Sequence, residues 1–415
     1  MSFLSKIFGS SKEKEKTFDI DKNFKESYVL PLGYQISTIE KFLIENAKNS
    51  KELKELINNN HKEIENMLYE LFVDKVNKWS WNNTINDEYR PNEANKHGGI
   101  DFKNKEIIKL LRGISTDIIS QVGRKILSGD FNLTTISFPI KVMIPISILQ
   151  SLARTLFQYP FYMFNACDKD PLEKMRITVV ASLAGFYCSA VFLKPMNPIL
   201  GETYECMFSD GSKMYLEQTS HHPPISHYQL IGKNYKINGY STFKSSAGLN
   251  SLSVTNLGKR VIEFKDGTKI EFNHAKESFS GTFFGTPKLE SLGELKYIDE
   301  KNKIICKVKI GEVKGKPSDF LQGEIFKENK KISVLTGSYL SALFWDDVKY
   351  WDIRDNFPIT MLDYSENFSK YILPSSSIHR SDRRLLELNM VEEAQEMKEK
   401  LENIQRKDKK LRERK

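Results

Sequence analysis

Cysteine and histidine are both scarce in this chain: four of the first and seven of the second in 415 residues. Cys167, Cys188, Cys206 and Cys306 form no C-x-x-C pair. A disulfide framework is therefore not the organising device, and a reduced compartment is expected. Nothing at the start has the apolar length of a secretory signal. In "MSFLSKIFGSSKEKEK", Phe3, Leu4, Ile7 and Phe8 share one helical face. We read a disordered start there, with a weak membrane-surface anchor as the alternative.

Long apolar runs are missing too, with one exception. "ITVVASLAGFYCSAVFL", residues 177–193, is uncharged between Arg176 and Lys194. It sits at the short edge of the roughly 17–25 residues that span a bilayer. Thr178, Ser182, Gly185 and Ser189 recur at helical spacing and would gather small polar groups on one face. A buried helix of a soluble domain is expected. Neither sign of charge dominates: 62 Lys and Arg stand against 54 Asp and Glu, a net +8. The excess is concentrated in the tail from Lys398 to Lys415, with nine basic residues against four acidic. No nucleic-acid motif accompanies that tail, so anionic lipid or phosphate is an equally good partner.

What is present is a folded globular composition, 40% hydrophobic and 11% aromatic. Residues 1–100 carry apolar residues at helical intervals and end in a linker-like stretch, "NDEYRPNEANKHGG" (86–99). "KEIIKLLRGISTDIISQVGRKIL" (105–127) predicts a helix apolar on most of its surface, which must cover something. Helical spacing dominates 140–193. From residue 202 the period becomes two, with Asp-Gly turns at 210–211 and 266–267. So long an antiparallel meander removes its edges by closing into a barrel, and one this wide encloses a cavity. The last 40 residues return to helix. Val391, Ala394, Met397, Leu401, Ile404 and Leu411 form a seam there. Lys398, Glu402 and Arg406 step by four on a neighbouring strip, over roughly 12 Å.

"EQTSHHPPIS" (217–226) places two histidines before two prolines. Pro223 biases His222 to extended geometry, and the double proline puts the pair at a strand end or rim. Three uses are open. Zinc would need more ligands, with His227 the nearby candidate. Catalysis would need a nucleophile, and no nucleophile elbow surrounds Ser220. Two imidazoles beside a lysine also suit an anion.

The stretch "EQTSHHPP" resembles the signature of the oxysterol-binding protein family, with Thr219 where valine is usual. "KPMNPILGETYE" (194–205) resembles a second motif of that family, and "EEAQEMKEKLENIQRKDKK" carries its C-terminal four-step pattern. The resemblance covers about residues 105–415 and leaves residues 1–100 unexplained. It implies a β-dominated α+β fold, a large incomplete antiparallel β-barrel around a hydrophobic lipid tunnel. Its parts would be a lid at 105–138, helices at 140–200, barrel strands at 202–345 and a C-terminal helical part at 346–415. Phe138 is expected as a hydrophobic contact of the lid.

The resemblance also implies the ligands: phosphatidylinositol 4-phosphate and a second lipid, a sterol in the first place and phosphatidylserine as the alternative, alternating in one tunnel. Carried over residue by residue, Lys194, His221, His222, Lys398 and Arg406 meet the phosphates. Asn197 touches the head group and Glu402 accepts from inositol hydroxyls. A phosphomonoester of charge about −1.5 to −2 needs several cationic donors, which agrees. The expectation is a monomeric lipid-transfer protein without catalytic chemistry, cofactor, metal or nucleic-acid partner. It would be cytoplasmic and peripheral on membranes. A scaffold that binds the head group without extraction, or a lipid hydrolase, are the rival classes.

Overall fold

The computed structural model describes residues 89–106, 108–109, 112–113, 138–188, 193–208, 210–221, 223–248, 250–354 and 372–412, together with 36–38, 69–70, 73 and 361–363. Its strands are β1 Ile36–Thr38, β2 Ile100–Asp101, β3 Met143–Ser147, β4 Lys194–Met196, β5 Thr203–Phe208, β6 Lys213–His221, β7 Pro224–Ile231, β8 Tyr235–Gly248 and β9 Ser251–Asn256. There follow β10 Arg260–Phe264, β11 Lys269–Phe272, β12 Lys276–Ser280, β13 Lys288–Asp299, β14 Ile304–Ile310, β15 Phe320–Lys327, β16 Lys330–Ser338, β17 Ala342–Trp345, β18 Val348–Asp352 and β19 Met361–Asp363. The helices are α1 Ile148–Arg154, α2 Tyr159–Ala166, α3 Pro171–Cys188, α4 Ser381–Glu387 and α5 Val391–Arg412.

The period-two pattern becomes a large antiparallel sheet. β14 shows why: Ile304, Cys306, Val308 and Ile310 are buried while Lys307 and Lys309 face water. Both Asp-Gly turns close hairpins, β5–β6 and β10–β11, with Gly211 and Gly267 at positive φ. Neighbouring strands run β19-β5-β6-β7-β8, and the sheet forks at β8. One branch passes through β10 and β11, the other through β9 and β12, and both rejoin on β13. The 14 residues of β8 and 12 of β13 are long enough to serve both branches. From β13 the order continues to β18. β1 adds to β19 in parallel. No described residue pairs β18 with the β1 side, so among the described residues the expected barrel is not closed.

α3 fills the place expected of a buried helix. Asp170 caps its start, accepting from the amides of Leu172 and Glu173 at 2.9 and 3.2 Å. Val179, Val180, Ala181, Leu183 and Ala184 are wholly buried, and the helix packs against β13, β14 and β18. The small-residue face has a use: Ser182 bonds to the Tyr297 hydroxyl of β13. A Cβ on Gly185 would overlap the Gln158 amide, which donates to the Ala181 carbonyl at 3.0 Å. No helix among the described residues is long and apolar enough to cross a membrane.

Three places depart from the sequence pattern. Residues 89–99 have the composition of a linker, yet they are docked on the barrel. Arg90 pairs with Asp319 at 2.6 Å, the Ser318 amide bonds to the His97 carbonyl, and Gly98 sits at φ 105° against Ser318. β2 then pairs with β13. The stretch 140–200, read as helical, also contains β3, whose five residues are all buried and which pairs in parallel with β4. The C-terminal part begins with β18 and β19 before turning helical. β9 and β15 carry less regular signals and complete the wall. The lid expected at 105–138 lies almost wholly outside the described residues.

Candidate functional site

His221 is the last residue of β6 and lies opposite Pro224, the first of β7. The ladder shifts register between Gln218 and Ser220, a break in the pairing just before His221. The break is fastened on both sides. Gln218 donates to the Ser220 carbonyl and accepts from the Ser226 hydroxyl, each at 2.5 Å. The Ser220 hydroxyl donates to the Pro223 carbonyl at 2.7 Å. His227 is engaged elsewhere, with the Thr219 hydroxyl at 2.7 Å and against the Tyr240 ring. His222 lies outside the described residues. Among those described, no group of three His, Cys, Asp or Glu could hold a metal ion.

The loop from Asn197 to Glu202 is laced to the same end of the barrel. The Gly201 amide bonds to the Gln218 carbonyl, and the Gln218 amide to the Glu202 carbonyl, both at 2.9 Å. Gly201 has φ 81°, a conformation that favours glycine. The buried Glu202 carboxylate accepts from the Ile199 amide and from Arg380, each at 2.9 Å. Arg380 also donates to the Asn197 carbonyl at 2.6 Å and pairs with Asp382. Burial pushes the Glu202 carboxyl up and Arg380 opposes it. This buried triad fixes the loop to the segment that starts α4.

Lys194, on β4, reaches the side chain of Asn197 and lies 5.8 Å from the Phe138 ring centroid. Phe138 also packs on the small cluster of Ile140, Met143, Met196, Leu386 and Ala394, which seats α5. The Gln395 side chain accepts from the Ile140 amide at 2.8 Å. Lys398, one turn on, is only 5% exposed and pairs with Glu402 at 2.6 Å. Glu402 in turn accepts from Arg406 at 3.1 Å. Burial holds the Lys194 ammonium down to about 8, helped by the nearby cations Lys398 and Arg380, while Glu402 works against them.

The structure thus brings Lys194, Asn197, Lys398, Glu402 and Arg406 together, on β4, its following loop and α5, with Phe138 from the segment before β3 beside them. Strand register puts His221 at the same barrel end, because Thr203, next after the loop, faces Glu217 of β6. A solvated ladder does not describe α5: Lys398 is buried, and Arg406 alone of the three has a mostly exposed side chain, at 63%. The expected apolar seam of α5 is buried only early, for Ala394 is covered while Ile404 and Leu411 are exposed. Sequence reasoning passed over Glu202, Arg380 and Asp382. Glu202 stands inside a quoted motif, but Arg380 is 178 residues away and no local pattern announces it.

The family model described as Oxysterol-binding protein matches residues 119–415. Oxysterol-binding protein 9 of Dictyostelium discoideum is 31% identical over 353 residues, 78% of this chain and 81% of that protein. Human oxysterol-binding protein-related protein 6 is 27% identical over 303 residues, 66% of this chain but 32% of that longer protein. Among solved structures, the Osh1 ORD domain in complex with cholesterol superposes with a TM-score of 0.60 at 16% identity, covering 84% of this chain and 88% of that one. The Osh3 ORD in complex with PI(4)P from Saccharomyces cerevisiae gives 0.57 at 19% identity, covering 79% and 89%. These structural likenesses establish the fold, and the sequence matches establish the family: the chain belongs to the oxysterol-binding protein family.

Proposed function

We propose that this protein binds one lipid at a time in its barrel and carries it between membranes, exchanging phosphatidylinositol 4-phosphate for a sterol or, alternatively, phosphatidylserine. The observation that carries the reading is the meeting of β4 and α5. A buried lysine, Lys398, acts on Lys194, whose ammonium still carries its charge at neutral pH but is held down to about 8. Glu402 sets one negative charge against Lys194, Lys398 and Arg406, and like charges kept together in a poorly solvated place cost free energy that a further anion would relieve. A phosphomonoester would supply that anion. Lys194, His221, His222, Lys398 and Arg406 would donate to its phosphates, Asn197 would touch the head group, and Glu402 would accept from ring hydroxyls. Solved relatives bound to cholesterol and to PI(4)P support the ligand pair.

No catalytic step is assigned. Each buried methylene of a lipid chain is worth about 0.8 kcal/mol, so a tunnel that roughly matches the bilayer lets either lipid leave. Occupancy of one tunnel by two lipids in turn would couple their opposite fluxes. The protein would act as a monomer on cytosolic membrane faces. Incubating pure protein with donor and acceptor vesicles tests the reading. Transfer supports it, co-sedimentation without extraction means a head-group scaffold, and a new lipid product means an enzyme.

A further inference from the structure

The barrel end that carries His221 also carries an exposed aromatic loop. Ile225, just past the His221 turn, faces Thr242 of β8, and β8 runs six residues further to Gly248. Ser251 of β9 faces Gly248, Ser280 of β12 faces Ser251, and Lys288 of β13 faces Ser280. The β12–β13 turn, residues 281–287, therefore stands beyond that rim, roughly 20 Å along the strand from Thr242 at about 3.3 Å per residue.

Phe284 at the tip of this turn is 65% exposed. Its backbone is held, not loose. Asn250 accepts from the amides of Phe283 and Phe284 at 2.8 and 3.2 Å and donates to the Phe284 carbonyl at 3.0 Å. Arg112 donates to the Gly285 carbonyl. A pocket of about 600 Å³ opens beside the turn, lined by Phe102, Pro287, Lys103, Lys105, Lys109 and Arg112 among others. No carboxylate lines it, and Glu106, within the same stretch, is exposed outside it. A large aromatic side chain fixed in water beside four cations is poorly matched to solvent and well matched to a bilayer surface.

We propose that the loop 281–287, with Lys103, Lys105, Lys109 and Arg112, is the surface by which the protein docks on an anionic lipid bilayer. Phe284 enters the acyl boundary, and the cations meet lipid phosphates and carboxylates around it. Docking there turns the His221 end toward the membrane from which a lipid is taken. The proposal rests on the lipid-carrier reading for its purpose but not for its test.

Flotation of the full chain with phosphatidylcholine vesicles, with and without phosphatidylserine, tests it. The wild-type protein binds more tightly when phosphatidylserine is present. Phe284→Asp weakens binding to those vesicles by about tenfold or more, since a buried aromatic ring is lost. Lys105→Glu with Lys109→Glu weakens it by about fivefold or more per lysine at low salt, and hardly alters binding to phosphatidylcholine alone. All variants bind a short-chain, water-soluble phosphatidylinositol 4-phosphate as the wild type does. Variants that float like the wild type overturn the proposal, as does a wild-type protein indifferent to phosphatidylserine. A wild type that ignores the soluble lipid, with flotation changing as described, keeps the docking surface and removes the carrier reading.

Discussion

Arg380 and Glu202, both buried, form an ion pair at 2.9 Å that ties the entry to α4 to the loop before β5. Through the same guanidinium the Asn197 carbonyl and Asp382 are held as well. The pair is what lets a helix at the end of the chain share a site with a lysine near its middle.

Removing one partner leaves the other carboxylates buried without compensation. Arg380→Ala is expected to cost about 3–5 kcal/mol in denaturant unfolding. Arg380→Met with Glu202→Leu and Asp382→Asn should recover much of it, because all three charges leave together. Equal stability of Arg380→Ala and wild type would mean that the loop is held by its backbone bonds alone.

Lys194 gives the site a pH dependence. Its ammonium is held at about 8 against an ordinary 10.5. The folded chain therefore releases this proton before the unfolded chain does, so its contribution to stability rises with pH between those two values. Ligand binding has the opposite sign. A phosphate favours the ammonium, so above about pH 8 binding must take up a proton, and affinity falls by up to tenfold per unit. Titration calorimetry with a soluble phosphoinositide should show a plateau at neutral pH and a decline above it. Lys194→Arg, which stays charged, should bind with a flat profile over the same range.

The exposed end of the α5 strip separates clamp from ornament. As an exposed pair with Glu402, Arg406 contributes only about 0–1 kcal/mol to stability. As a phosphate donor it forms a charge-assisted bond worth roughly 1.5–3 kcal/mol. Arg406→Ala should weaken head-group binding about tenfold or more at moderate salt and leave the unfolding midpoint unchanged. Lys407→Ala, exposed on the same helix but off the strip, should change binding little. Equal losses would mark the helix as a diffuse basic surface.

Gly185 tests the packing of α3. Gly185→Ala drives a Cβ into the Gln158 amide, whose bond to the Ala181 carbonyl must then yield. A loss of about 1–3 kcal/mol is expected in urea unfolding. Gly185→Ala with Gln158→Ala should be less destabilised than the sum of the two single losses, since the clash goes with the amide.

Much of the fold could be read because it repeats locally. Alternation such as that of Ile304, Cys306, Val308 and Ile310 marks a strand wherever one face is buried. β3 broke that rule, since all of "MIPIS" is buried and nothing alternates. The docking of residues 89–99 was hidden for a different reason: Asn, Pro and Gly serve a linker and a tight backbone approach alike, and Gly98 does the second. At the site, the motifs named the residues that would meet a ligand. They could not name Arg380, whose partners Asn197 and Glu202 lie far away in sequence. Nor could spacing alone separate a buried Lys398 from a solvated one; the packing of Ala394 beneath it decides that.

The most direct test of the central claim joins exchange to the stretch "HHPP". Purified protein is given vesicles with labelled phosphatidylinositol 4-phosphate and acceptor vesicles with labelled sterol or phosphatidylserine. The wild type should extract the phosphoinositide and move the second lipid the other way. His221→Ala with His222→Ala should abolish phosphoinositide extraction while the second lipid stays bound, because the role proposed for the histidines is to meet a phosphate at the rim and not a chain inside. Extraction of neither lipid by the wild type, or equal loss of both in a folded double variant, would contradict the account.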